Sequence, residues 1–317
     1  MKVRRKMRRP SLIRPADGLF PLALLAGDLF GQPIYKGWIF AAWMAVRLLG
    51  LFSADTVRMA YATQPGMRQV KGSTTLAILM QIVGAAVVSG LYMLVFEGIT
   101  PFTLAIIGIG TLINIEQVFC EYLYAAGDRY SPVICSILIA ALIAAGLVMD
   151  APGIPWITLG MSAAACIVSL IVAVTVGEFR PYKPNKGVII HAPRGLLYGL
   201  AYPALIAALL YSLREKITGH EGDAKVWCET GLRMGFYAGL ALISIVRTPF
   251  RRSDLESRNM NPVMAAVAVI AAAGWAVCSF VTAIPELPAL AVSGFCICAF
   301  VASCTCLMLW GGVKTED

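Results

Sequence analysis

Residues 102–149, FTLAIIGIGTLINIEQVFCEYLYAAGDRYSPVICSILIAALIAAGLVM, form two apolar runs joined by a short polar elbow, AAGDRYSP (125–132). Each run exceeds about 18 mostly apolar residues, the length that crosses a hydrocarbon core of roughly 30 Å. Within that core the backbone has no water to bond, so each run must satisfy its own N–H and C=O groups as a helix. Gly127 and Pro132 punctuate the elbow as helix end and helix start. The first run carries Glu116, Gln117 and Glu121 near its inner end, which a purely structural helix does not need. The hairpin sets the class: an all-α, polytopic transmembrane helix bundle.

Composition agrees. Only 14% of the 317 residues are charged and the mean hydropathy is +0.76, against about 25% charged in soluble domains. The net charge of +8 is localised. Residues 1–14, MKVRRKMRRPSLIR, hold seven Lys and Arg and no acid. In so apolar a chain this reads as a cytoplasmic topology determinant touching anionic membrane lipids, ahead of a nucleic-acid arm. A cleavable signal peptide is disfavoured, because no small-residue cleavage site follows a clean apolar core.

Eight of the nine cysteines lie in apolar runs, with Cys228 at the edge of one. At about 100° per residue, Cys296, Cys298, Cys304 and Cys306 point roughly to 0, 200, 80 and 280° and cannot converge on one metal. They read as small packing residues. No metal or other cofactor is expected.

Along the chain, 18–32 is apolar but short and interrupted by Pro21 and Asp28, so it is either a broken span or an interfacial helix. Residues 34–52 make a span of minimal length containing Lys36 and Arg47. Further spans are predicted at 74–96, 102–124, 131–149, 155–177, 195–213, 228–246, 262–284 and 287–311. The connections 53–72, 122–130, 178–194 and 247–258 carry twelve Lys and Arg, and the opposite set three. Positive charge marks the cytoplasmic side. The basic tail joins that side only if 18–52 is a full hairpin, which gives ten spans with both termini cytoplasmic. Nine spans remain if 18–32 is interfacial. The predicted organisation is a basic tail (1–17), a front lobe of six helices (18–177), a basic linker (178–194) and a rear block of four helices (195–317).

A charge inside a membrane helix is expensive and usually faces a cavity or a partner. In the front lobe the candidates are Asp28, Lys36, Arg47, Gln81, Glu116, Gln117 and Glu121. Arg47 lies about two turns inside its span, where snorkelling to the headgroups competes with a cavity role. Lys36, nearer the outer end, snorkels more easily. Glu116 and Gln117, about two turns from the elbow, are expected to be partly buried and to pair with Arg47 or wall a headgroup site. In the rear block Glu229 and Arg233 are spaced i,i+4 and can bridge along one helix, which competes with an ion-coupling role. His191 and His220 have no ligand partner at useful spacing. No Walker A loop, H-E-x-x-H, G-x-S-x-G or paired Asp-rich motif is present. An ATPase and the common membrane hydrolases and prenyltransferases are therefore disfavoured, and the chain is read as a non-enzyme.

Two stretches carry a resemblance. LLAGDLFGQPIYKGWIFAAWMAVRLLGLFSADTVRMAYATQ (24–64) has an L-F-G turn, then an Arg-bearing helix running into F-S and an aromatic. EQVFCEYLYAAGDRYSPVICSILIAALIAAGLV (116–148) has a small-residue elbow with an Arg and a Pro after a helix. Together they resemble the multidrug/oligosaccharidyl-lipid/polysaccharide exporter superfamily, in particular its MurJ-like lipid flippases, over roughly residues 20–177. The resemblance implies a two-lobed, V-shaped bundle around a cationic cavity that opens alternately to each side. It also implies cavity arginines that hold the diphosphate of a polyprenyl-linked sugar. Arg47, and secondarily Lys36, stand where such residues belong. The sequence departs from the pattern in two places: Asp28 replaces a cationic set on the first helix, and the rear block is too short for a second six-helix lobe.

The leading expectation is a flippase-like transporter of an anionic polyprenyl-linked glycolipid in a bacterial cytoplasmic membrane. It binds substrate at Arg47, Lys36, Gln81, Glu116 and Gln117, and couples to an ion or proton at Asp28, Glu121, Glu229 and Arg233. The alternative is a non-catalytic membrane subunit or scaffold derived from such a transporter. Self-association or a membrane partner protein accompanies either reading, and nucleic acid neither.

Overall fold

A computed structural model describes residues 66–96, 100–149, 155–184 and 260–280, with ten further positions: Val57, Ala60, Ala289, Val292, Ser293, Phe295, Cys296, Ala299, Phe300 and Ser303. They fall into two compact units, one holding positions 57–184 and the other 260–303. The described residues are all-helical: α1 (Met67–Phe96), α2 (Pro101–Ala125), α3 (Tyr130–Met149), α4 (Trp156–Thr175) and α5 (Met260–Phe280). Among them α1, α2 and α4 are long and apolar enough to cross a membrane. The expected spans at 18–32, 34–52, 195–213 and 228–246 lie outside the described residues.

In the first unit α2 packs against α1, α3 and α4, so the helix that carries Glu116 and Glu121 is also the most enclosed. Local chemistry sets its ends. Thr100 is the N-cap, its Oγ1 accepting from Thr103 N at 3.2 Å, with Pro101 in the first turn where a missing N–H is harmless. At the other end Gly127 adopts φ +89°. Its N–H donates to Tyr124 O (3.1 Å) and Asp128 N–H to Leu123 O (3.0 Å), the paired bonds of a Schellman stop. Asp128 Oδ1 then accepts from Tyr130 N and Ser131 N (3.0 and 3.2 Å). The next helix therefore starts at Tyr130, ahead of the Pro132 start expected from sequence.

α4 closes the unit with a face of small buried residues, Thr158, Ser162, Ala165, Ser169 and Ala173. Spacings of three and four keep them on one side and allow close backbone approach. The approach is tightest at Gly146 of α3, where an added Cβ would stand 2.8 Å from Thr158 Cα.

Two departures from the sequence expectations share one cause. α1 begins at Met67, whereas the connection was expected to run to 72, and residues 178–184 fold back as a strap over α1 and α2. Lys71 Nζ donates to Glu178 O (2.6 Å), and Tyr182 N donates to Thr75 Oγ1 (3.2 Å). Tyr122 Oη donates to Gly177 O (2.7 Å). The buried ring of Phe179 sits edge-on to Phe119 and Tyr122. Glu178 takes the left-handed φ of +54° needed for this reversal, a conformation costing a non-glycine residue about 1 kcal/mol. The strap thus packs on the first turns of α1, whose Met, Arg, Gln and Lys are good helix formers that a hydropathy pattern passes over.

As a result Arg68, Lys71, Arg129, Arg180 and Lys183 all lie at one end of the first unit. The described residues at the opposite end, around 96–100 and 149–155, include no Lys or Arg. In the second unit, Ala271 of α5 packs with Cys296 and Ala299, and a Cβ at Gly274 would stand 2.9 Å from Cys296 Sγ.

Candidate functional site

α2 turns about 100° per residue, so its polar residues fall on two faces. Asn114, Gln117 and Glu121, spaced three and four apart, share one of them. Asn114 Nδ2 donates to Gln81 Oε1 of α1 across 2.9 Å, with both side chains buried. Glu116 lies on the other face, one turn before Cys120. The Cys120 thiol donates to Glu116 Oε1 at 3.0 Å and lies 3.8 Å from Pro132 O of α3. All four polar residues predicted here are therefore built into the α1–α2–α3 packing. Glu116 and Gln117, expected to be partly buried, are 2% and 8% exposed, and Glu121 is 1% exposed.

Two carboxylates and three amides make this layer rich in hydrogen-bond acceptors. Every Lys and Arg among the described residues lies outside the layer, at the basic end of the unit. Among the described residues Gln117 Oε1 has no hydrogen-bond partner, and neither does the buried Ser73 Oγ of α1. A buried amide oxygen without a donor is costly, most of all in an apolar surround. The described His, Cys, Asp and Glu side chains form no group of three arranged as metal ligands.

One measurable consequence concerns stability. Leucine nearly matches glutamine in volume and removes the unpaired oxygen. Gln117→Leu is expected to stabilise the protein by about 1 kcal/mol, read as a raised melting temperature in detergent. A drop in melting temperature would show that the amide has a partner.

Asp28, Lys36, Arg47, Glu229 and Arg233 lie outside the described residues. Asn114 was missed from sequence. Its signal was present in the i, i+3, i+7 series Asn114–Gln117–Glu121, which marks a polar stripe on an otherwise apolar helix. No family model, curated protein or solved structure matches the chain.

Proposed function

We propose that this protein is a flippase-like transporter of an anionic polyprenyl-linked glycolipid, a cell-envelope precursor, in a bacterial cytoplasmic membrane. It works by alternating access and draws on an ion gradient or the membrane potential, since the sequence offers no Walker A loop. One observation carries the proposal: the buried layer of Gln81, Asn114, Glu116, Gln117 and Glu121 inside helices long enough to span. A passive bundle has no use for a carboxylate such as Glu116, buried more than two turns inside a spanning helix, where an ionisable side chain is costly and usually functional.

In this reading Arg47 grips the phosphates and Lys36 assists at the outer end. Gln81 and Gln117 line the path beside Glu116. Glu121 and Glu116 carry the coupling proton or cation, a role suited to their acceptor-rich surroundings, and Asp28, Glu229 and Arg233 complete the coupling set. Arg47→Ala is expected to abolish translocation of a polyprenyl diphosphate lipid in proteoliposomes while protein level stays unchanged; a normal rate sinks the assignment. Gln117→Leu should slow transport even as it raises the melting temperature, because the oxygen it removes is the one kept for the coupling ion.

The four-span rear block read from sequence favours a second reading, a non-catalytic subunit or scaffold derived from such a transporter. Transport by the protein reconstituted alone would rule that out.

A further inference from the structure

The basic end of the first unit is more ordered than a scatter of topology charges needs to be. The strap is fixed to the first turns of α1 at three places. Lys71 Nζ bonds Glu178 O, Thr75 Oγ1 accepts from Tyr182 N, and Gly72 meets Pro184 so closely that a Cβ would stand 2.9 Å from Pro184 Cα. This sets Arg180 and Lys183, both exposed, beside exposed Arg68 of α1. Tyr122 and Phe179 tie the same strap to the end of α2, next to the elbow that carries exposed Arg129. Among the described residues the acids at this end are Asp128, whose carboxylate caps α3, and exposed Glu178. Among the described residues five cations therefore outnumber two acids on this rim.

Directly beyond that rim the surface turns apolar. Ile171, Val174 and Val176 are exposed just before the strap on α4, and Ile134 and Ile137 are exposed just after the elbow on α3. Tyr130 (82% exposed) and Tyr182 stand between the two zones, the level at which amphipathic rings sit in membranes. Cations over tyrosines over aliphatic side chains is the layering of a phospholipid read from phosphate to acyl chain. We propose that the docked strap, with Arg68 and Lys71 of α1, forms a binding site for the phosphate headgroup of an anionic phospholipid. The lipid's chains lie along the exposed faces of α3 and α4. The site is separate from the buried polar layer and does not depend on the transport reading.

The test uses the full chain in mixed phosphatidylglycerol and phosphatidylcholine nanodiscs, with retained lipid counted by native mass spectrometry after gentle release. The wild type should keep phosphatidylglycerol in preference to phosphatidylcholine. An Arg68→Gln, Arg180→Gln, Lys183→Gln triple variant should lose about a hundredfold in apparent affinity, at about fivefold per cation near a surface. Gly72→Ala leaves the net charge untouched but pushes Pro184 away, and should also lose about tenfold if one cation and its alignment go with the strap. Charge-preserving Arg68→Lys and Arg180→Lys should restore binding and serve as folding controls. Wild-type retention in the triple variant would overturn the site and place the lipid elsewhere, for example on the basic tail at 1–14. Retention unaffected by Gly72→Ala would overturn the strap as its organiser. Equal retention of the two lipids would also overturn the proposal. So would a preference for a soluble polyanion such as transfer RNA that the same variants abolish, which would point to a soluble partner.

Discussion

Replacing Phe179 by alanine is expected to free the strap at a cost of about 3 kcal/mol, the lower end of the range for a buried phenylalanine. The ring is buried, 5.7 Å from the Phe119 ring and 5.1 Å from that of Tyr122, both edge-on. Such pairs add to the area they bury. Phe179 also stands at the basic end, where releasing it exposes apolar surface to water rather than to lipid, so the full hydrophobic driving force acts on it. Backbone bonds remain, with Phe179 N–H donating to Ala173 O at 2.9 Å, but they do not replace the lost packing. Limited digestion by chymotrypsin after Tyr182 reads the change. When opening is in equilibrium, cleavage tracks the open population, so the rate should rise about a hundredfold, since 1.4 kcal/mol is about a factor of ten. An unchanged rate would mean that Phe179 does not hold the strap.

Gly146→Leu should destabilise the first unit by about 3 kcal/mol, the upper part of the overpacking range. The first added carbon would meet Thr158 Oγ1 at 2.7 Å and Thr158 Cα at 2.8 Å. A backbone atom cannot swing aside as a side-chain tip can, so α3 and α4 must separate and lose contacts along the small-residue face of α4. Gly160→Ala on α4 is the control, since nothing lies within 4 Å of the Cβ it would add. It should be neutral or slightly stabilising through helix propensity. Thermal unfolding in detergent of the two variants side by side distinguishes them. Equal melting temperatures would show that the α3–α4 crossing has slack.

What could be read from sequence is what local chemistry decides. The apolar runs gave the helices, and the glycine of the elbow gave the stop that its left-handed φ requires. Asp128 was passed over because an aspartate in an elbow looks like ordinary turn polarity until it is seen accepting two backbone N–H groups. The polar residues of α2 stand out in the sequence because they interrupt an apolar run. Their arrangement was not legible, because it depends on which faces of two helices meet. Gln81 and Asn114 are 33 residues apart, and neither helix alone announces the pairing. The strap was hidden for the same reason. EFRPYKP is basic and proline-rich, the composition of a linker, and only Phe179 hints that part of it is held down. Arg47, on which the proposed substrate contact rests, lies outside the described residues.

The enclosure of α2 has a consequence for how the chain enters a bilayer. Taken alone, α2 would bring Glu116, Gln117 and Glu121 into hydrocarbon with nothing to meet them, whereas α3 after the short elbow carries no charged residue. The elbow makes the two leave the ribosome as one hairpin, so the apolar arm can carry the polar one across. α1 is already made by then and offers Gln81 to Asn114. α4, still to be synthesised, brings the last wall. The helix that holds the buried acids is thus enclosed only by neighbours that precede and follow it in the chain.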